Sequence, residues 1–159
     1  MKTAVIGAGA WGTALACQLR RNGHDVSLWF RDPEKAELAQ RNRTNPRLKN
    51  ITLPDGLLCT ADPQCVEGCA LVVIAAPSFP IRTVCRAVAP YLDRNAVMVS
   101  VTKGIEAGTG KRMSQIIEEE TQASVAVLSG PSHAEEVGRG IPTGVVAAAR
   151  EQRVAELVQ

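Results

Sequence analysis

Lys2-Thr3-Ala4-Val5-Ile6-Gly7-Ala8-Gly9-Ala10-Trp11-Gly12 is the stretch that decides the fold. Residues 2–6 are a short apolar run that stops at a glycine, and a helix-like stretch follows at once. G-x-G-x-x-G between a strand and a helix is the dinucleotide-binding fingerprint, and each glycine in it has a physical task. Gly7 allows the tight turn out of the strand. Gly9 has no side chain to hold a pyrophosphate away from the backbone. Gly12 lets the helix pack closely on the strand. The first turn of a helix leaves N–H groups without partners, and the helix dipole lies behind them, so this end suits a phosphate. Gly7, Gly9, Ala10, Trp11 and Gly12 are therefore candidate cofactor-binding residues.

Outward from this turn, residues 10–22 follow helical spacing through Ala14, Leu15, Gln18 and Leu19, and Asn22-Gly23 supplies a stop. Val26 to Phe30 reads as a second strand, which completes a βαβ unit. An acid about 20 residues beyond the glycines normally binds the ribose of NAD. Here the chain reads Trp29-Phe30-Arg31-Asp32-Pro33-Glu34. Asp32 is either that acid or the N-cap of a helix over 33–42. Asp-Pro-Glu is so complete a helix start that the cap is preferred. Arg31 is then the residue best placed to face the ribose, where an arginine can pair with a 2′-phosphate, the alternative being a solvated loop arginine; this favours NADP without excluding NAD.

Residues 43–56 carry Asn45-Pro46 and Leu53-Pro54-Asp55-Gly56 and read as an irregular connection. Leu57 to Thr60 reads as a short strand, and Asp62-Pro63 starts a short helix that ends at Gly68. Leu71 to Ala75 is a continuous apolar run, hence a buried central strand. It ends at Ala76-Pro77-Ser78. Parallel strands present ligands at their carboxyl ends, so Pro77 is a candidate lining residue of the cofactor groove. A plain loop with Ser78 starting the next helix is compatible with that role. The following helix carries Ile81, Val84, Cys85 and Val88 on one face.

Val97 to Val101 is the next strand, followed by Thr102-Lys103-Gly104-Ile105-Glu106. A lysine at such an end meets an anionic or carbonyl ligand, or is simply a surface lysine. Gly108 to Arg112 fails as a P-loop, because Ile105 and Arg112 occupy positions that need Gly and Ser or Thr. It leads into a helix over 111–121. Val125 to Leu128 is a further strand, ending in Ser129-Gly130-Pro131-Ser132-His133-Ala134-Glu135-Glu136. Gly130 permits close approach, Pro131 suits a first helical position, and Ser132 offers a hydroxyl. Capping alone also accounts for these residues. Thr143 to Ala149 reads as a last strand and 151–158 as a helical pattern in which the sequence stops. The expected class is α/β: a Rossmann-type doubly wound, mainly parallel sheet with helices on both faces.

Composition narrows the function. The chain is 45% hydrophobic but only 3% aromatic, so Ala, Val, Leu and Ile carry the core. A net charge of +2, with no basic block, gives no footprint for nucleic acid. The five cysteines form no C-x-x-C pair and sit in apolar segments, which suits free thiols in a reducing compartment. Two histidines, far apart, make a metal site a poor expectation. No signal peptide fits before the first strand, and no apolar run nears the roughly 18 residues of a membrane span. A cytoplasmic location is expected.

The three motifs together, Gly7-Ala8-Gly9-Ala10-Trp11-Gly12-Thr13-Ala14, Val101 to Glu106 and Leu128 to Glu136, give a resemblance that covers the whole chain. It resembles the bacterial NAD(P)-dependent glycerol-3-phosphate dehydrogenases. Ser-Gly-Pro-Ser-His-Ala-Glu-Glu carries most of the specificity, since the glycine motif is shared by many dehydrogenases. The resemblance implies interconversion of sn-glycerol 3-phosphate and dihydroxyacetone phosphate by hydride transfer at C2, feeding phospholipid synthesis. It implies cofactor contacts at Trp11, Arg31, Lys103 and Ala134, and substrate contacts at Lys103, Gly130 and Ser132.

Members of that family are about twice as long, and the resemblance places the catalytic lysine base in a second, helical domain. Residues 1–159 are thus expected to be the NAD(P)-binding domain alone, with no catalytic base and little or no turnover. A homodimer of the full-length protein stays open. The rivals are a 6-phosphogluconate- or ketopantoate-type dehydrogenase and a non-catalytic NAD(P)-sensing module. The third motif argues against the first, and no docking or DNA-binding segment supports the second.

Overall fold

The computed structural model describes all residues from Met1 to Gln159. In chain order the elements begin β1 (Lys2–Ile6), α1 (Ala10–Arg21), β2 (Asp25–Trp29) and α2 (Pro33–Asn42). A hairpin follows, β3 (Thr44–Asn45) and β4 (Leu48–Thr52), then β5 (Leu58–Thr60), a 3-10 turn (Pro63–Val66) and β6 (Leu71–Ile74). The second half holds α3 (Ile81–Val88), a 3-10 turn (Ala89–Tyr91), β7 (Val97–Ser100) and α4 (Met113–Thr121). It ends with β8 (Ser124–Ser129), α5 (Ala134–Gly138), β9 (Val146–Ala149) and α6 (Gln152–Val158).

The main sheet runs β5-β2-β1-β6-β7-β8-β9. Every neighbouring pair is parallel except β8 and β9, which are antiparallel. Chain order therefore reverses between β1 and β6, the switch point at which doubly wound sheets open a crevice for ligands. Both faces are covered. Along β6 the side chains alternate between two cores: Leu71 and Val73 join Val5, Leu28 and Val99 on one face, while Val72 and Ile74 join Ala4, Ile6 and Met98 on the other. Cys17 and Ala14 of α1 and Val137 of α5 fill the first core; Val84 and Cys85 of α3 and Ile116 and Ile117 of α4 fill the second. Burial of two faces explains why this sheet is built from unbroken apolar runs rather than alternating ones.

Local chemistry sets the ends of the elements. Asp32 is the N-cap of α2: its carboxylate accepts from the Glu34 and Lys35 N–H groups at 3.1 and 3.4 Å, and Pro33 follows. Asp62 does the same for the first 3-10 turn through Gln64 N–H. At the end of α1, Gly23 adopts φ +85 and its N–H returns to the Arg20 carbonyl.

Several expectations need correction. Residues 43–56 are not irregular throughout, because the β3–β4 hairpin is built there. Pro131 is not at a first helical position: α5 starts at Ala134 with His133 as its N-cap, and Pro131 lies in a tight turn in which Ser132 N–H donates to the Gly130 carbonyl. The last strand is shorter than Thr143–Ala149. Helix α4 starts at Met113, because residues 105–112 fold back on themselves through an Ile105–Arg112 bridge.

Candidate active site at the carboxyl edge of the sheet

Strand register levels the carboxyl ends. Ile6 pairs with Trp29 and with Ile74, Ile74 with Ser100, and Ser100 with Val127. The segments that leave these ends are Gly7–Gly12, Phe30–Asp32, Ala75–Ser78, Val101–Lys103 and Leu128–Ser132. All five sequence motifs are thus gathered on one edge.

The glycine turn sits at the switch point. Gly7 has φ +122, and a Cβ there would lie 2.7 Å from the Ala75 carbonyl carbon, so the turn after β1 rests on the backbone after β6. A Cβ on Gly12 would lie 2.0 Å from the Gly7 carbonyl oxygen, which is the close packing of α1 on β1. Gly9 differs from both: a Cβ there would meet nothing within 4 Å. Its lack of a side chain serves no packing need inside the chain. The N–H groups of Gly9, Ala10, Trp11 and Gly12 make no hydrogen bond within the chain, and α1 has no side-chain cap. This is an open, polarised helix start with four free donors.

Arg31 follows β2, is exposed, and makes no ion pair or side-chain hydrogen bond. Asp32 is occupied by its cap and by an ion pair with Lys35 at 2.9 Å. That ammonium and the Glu34 and Lys35 N–H groups hold its carboxyl below the ordinary carboxylate range. Pro77 is exposed on the turn after β6.

Lys103 is exposed and unpaired, but its backbone is fastened from several sides. Thr102 Oγ1 reaches the Ala76 carbonyl at 2.7 Å, which latches this turn to the one holding Pro77. Gly104 has φ +108, and a Cβ there would stand 3.8 Å from that of Ser78. Beyond it, Arg82 of α3 grips Glu106 through two bonds of 2.6 and 2.8 Å. Arg82 also meets Glu119 and Glu120 of α4, and Arg86 meets Glu120. The Arg82 guanidinium, helped by the Thr109 hydroxyl, holds the Glu106 carboxyl down at about 2. Thr102 and the Arg82–Glu106 pair are supports that sequence reading missed. Glu106 stood inside a quoted motif, but nothing in the sequence paired it with an arginine on another helix.

Gly130 has a packing reason of its own. A Cβ there would lie 2.7 Å from the Gly144 carbonyl oxygen, in the segment that leads into β9. Ser132 is half-buried on the next turn, and Ala134 opens α5, which packs on α1. His133 caps α5 without any side-chain hydrogen bond, so nothing orients its imidazole as a base. Two cavities lie elsewhere: one of about 460 Å³ beside Arg112, Glu118 and Arg150, another of about 460 Å³ between α2 and β5. Neither touches the glycine turn.

Comparison with known proteins identifies the family of the chain. The NAD-dependent glycerol-3-phosphate dehydrogenase N-terminus family matches residues 2–155. The chain belongs to this family. A glycerol-3-phosphate dehydrogenase [NAD(P)+] of Moorella thermoacetica is 48% identical over 158 residues, covering 98% of this chain and 47% of the relative. The crystal structure of a glycerol-3-phosphate dehydrogenase from Coxiella burnetii superposes with a TM-score of 0.90 at 33% identity, covering 98% of this chain and 49% of that one. A ketopantoate reductase from Ralstonia eutropha is more distant, with a TM-score of 0.68 at 26% identity over 81% of this chain and 41% of that one. The chain spans about half the length of the dehydrogenases it matches.

Proposed function

We propose that residues 1–159 are the cofactor half of an NAD(P)-dependent oxidoreductase that interconverts sn-glycerol 3-phosphate and dihydroxyacetone phosphate by hydride transfer at C2. The cofactor part of this reading is carried by the glycine turn, with Gly9 open and four N–H groups free at the switch point of a doubly wound sheet, and the substrate part rests on the family match over residues 2–155. The residues fit a dinucleotide, and NADP is favoured over NAD. When bound, the nicotinamide supplies the hydride chemistry.

Each residue then has a task. The N–H groups from Gly9 to Gly12 hold the pyrophosphate, with Gly7 and Ala10 shaping the turn and Trp11 beside it. Arg31 offers an unpaired guanidinium to the 2′-phosphate of NADP. Pro77 lines the middle of the groove, and Ala134 contacts the cofactor from the start of α5. The Lys103 ammonium binds the substrate near the nicotinamide and draws electron density from the reacting oxygen. Gly130 and Ser132 contact the substrate from the adjoining turn. The proton acceptor lies outside residues 1–159, in a second, helical domain.

The test is paired. Full-length protein should reduce NAD(P)+ in the presence of glycerol 3-phosphate, while residues 1–159 bind cofactor without turnover. Oxidation of glycerol 3-phosphate by residues 1–159 alone contradicts the division of labour. Turnover of ketopantoate, but not of dihydroxyacetone phosphate, by the full-length protein contradicts the substrate. No helix is long and apolar enough to cross a membrane. We place the full-length enzyme in the cytoplasm as a homodimer, which fractionation and sedimentation of that protein test.

A further inference from the structure

Within the dinucleotide turn, Gly7 and Gly12 are held by close packing, but the N–H of Gly9 has no partner in the chain. Ala8 has a glycine on either side, and glycine backbones move easily between regions closed to other residues. Something outside the turn has to fix which way the Ala8–Gly9 peptide faces. We propose that Asn45 is the positioning residue that does so, an inference that rests on reading Gly9–Gly12 as the pyrophosphate site.

Asn45 stands in the β3–β4 hairpin and is 4% exposed. Its Nδ2 donates to the Ala8 carbonyl at 3.0 Å and to Thr13 Oγ1 at 2.8 Å. Its Oδ1 accepts from the Arg47 N–H at 3.0 Å. Both amide donors are therefore used, and the orientation is unambiguous: turned over, the oxygen would face the Ala8 carbonyl and the NH₂ would face the Arg47 N–H. A turn-capping asparagine needs only the bond to Arg47. The two bonds from Nδ2 reach across to the fingerprint.

Their effect follows from peptide geometry. In a trans peptide the C=O and the next N–H point in opposite directions. Drawing the Ala8 carbonyl toward Asn45 aims the Gly9 N–H away from the hairpin, as a donor for the phosphate. The bond to Thr13 ties the same amide to the first turn of α1, so the Gly9 donor keeps its place relative to those of Ala10, Trp11 and Gly12. The hairpin is itself anchored. Leu48 is 1% exposed, and its Cδ2 would lie 3.1 Å from a Cβ on Gly138 of α5. Asn45 thus ties the Ala8–Gly9 peptide to the β4–α5–α1 packing.

The test uses the chain of residues 1–159, with Asn45→Ala, titrated with NADPH, ADP-ribose and 2′-AMP. The first two carry the pyrophosphate and the third does not. Loss of the tether should raise the Kd for NADPH and ADP-ribose roughly tenfold, the equivalent of about 1.4 kcal/mol, and leave 2′-AMP within about twofold. If Asn45→Ala is too unstable to titrate, Asn45→Leu keeps the volume, removes the donors without adding charge and should give the same pattern. Equal weakening of all three ligands, or none in a folded variant, overturns the role of Asn45. Failure of the unaltered chain to bind NADPH overturns the phosphate-site reading itself.

Discussion

Gly9→Ala separates folding from cofactor binding. The backbone at Gly9 is extended, with φ −71 and ψ 179, so alanine adopts it without strain. A methyl there meets nothing within 4 Å, so it displaces no atom of the chain. At an N-cap alanine is poorer than glycine by about 0.5–1 kcal/mol, which its lower unfolded-state entropy offsets by about 0.4–1 kcal/mol. Stability should therefore move by about 0.5 kcal/mol or less, and the melting temperature by about 2 °C or less. Binding is another matter. The methyl projects into the space assigned to the pyrophosphate and holds it off the donors behind. One lost hydrogen bond to a charged group costs about 1.5–3 kcal/mol. That is roughly a 10- to 150-fold rise in the Kd for NADPH. Thermal melting and calorimetric titration of the two chains measure both quantities. A Gly9→Ala chain that melts normally and binds NADPH as tightly as the original refutes the passage of the pyrophosphate over Gly9.

Gly12→Ala should fail in the opposite way, through the fold. Its methyl must open a 2.0 Å approach to the Gly7 carbonyl beyond 3.4 Å, an overpacking worth about 1–3 kcal/mol that outweighs alanine's better helix propensity. The melting temperature should fall by on the order of 5 °C, and an unchanged value would show that α1 does not need to touch β1. Arg31→Glu should weaken NADPH binding more than NADH binding, and equal losses would remove Arg31 as the reader of the 2′-phosphate. Acid stability tests the Arg82 clamp. Glu106 falls from an ordinary 4.5 to about 2 on folding, so its contribution is complete above 4.5 and is lost as the pH drops toward 2. Glu119 and Glu120 are lowered too, by Lys111, Arg82 and Arg86, so their contributions also fade as the pH falls below the ordinary carboxylate range. Melting temperature followed through this range should fall more steeply for the original chain than for Glu106→Gln. Parallel curves would deny the pair any part in folding.

What the sequence revealed was whatever rests on neighbouring residues. Residues 2–12 contain strand, turn and helix start within one short segment, so the phosphate-binding turn could be read from them, while the switch point needed the strand order. Asp32-Pro33-Glu34 spelled a cap because an N-cap acts on N–H groups two and three positions ahead. The apolar run at 71–74 announced a strand covered on both faces. What stayed hidden depends on partners far along the chain. Asn45 beside Pro46 looked like turn chemistry, and its bonds to Ala8 and Thr13 appear only when the hairpin lies across α1. Gly130 looked like a ligand contact, and its tightest neighbour is the backbone at Gly144. Pro131 looked like a helix start because proline suits one, yet Ser132 N–H turns back to the Gly130 carbonyl and delays α5 to Ala134.

The central claim is that an open glycine turn on this edge receives a dinucleotide. Trp11 stands in that turn and is one of only two tryptophans. Titrating residues 1–159 with NADPH, and following tryptophan emission in the chain and in its Trp29→Phe variant, reports on Trp11 directly. The account predicts saturable quenching with one site per chain, displaced by ADP-ribose and tighter for NADPH than for NADH. Emission that never saturates, or that ADP-ribose does not restore, would contradict it.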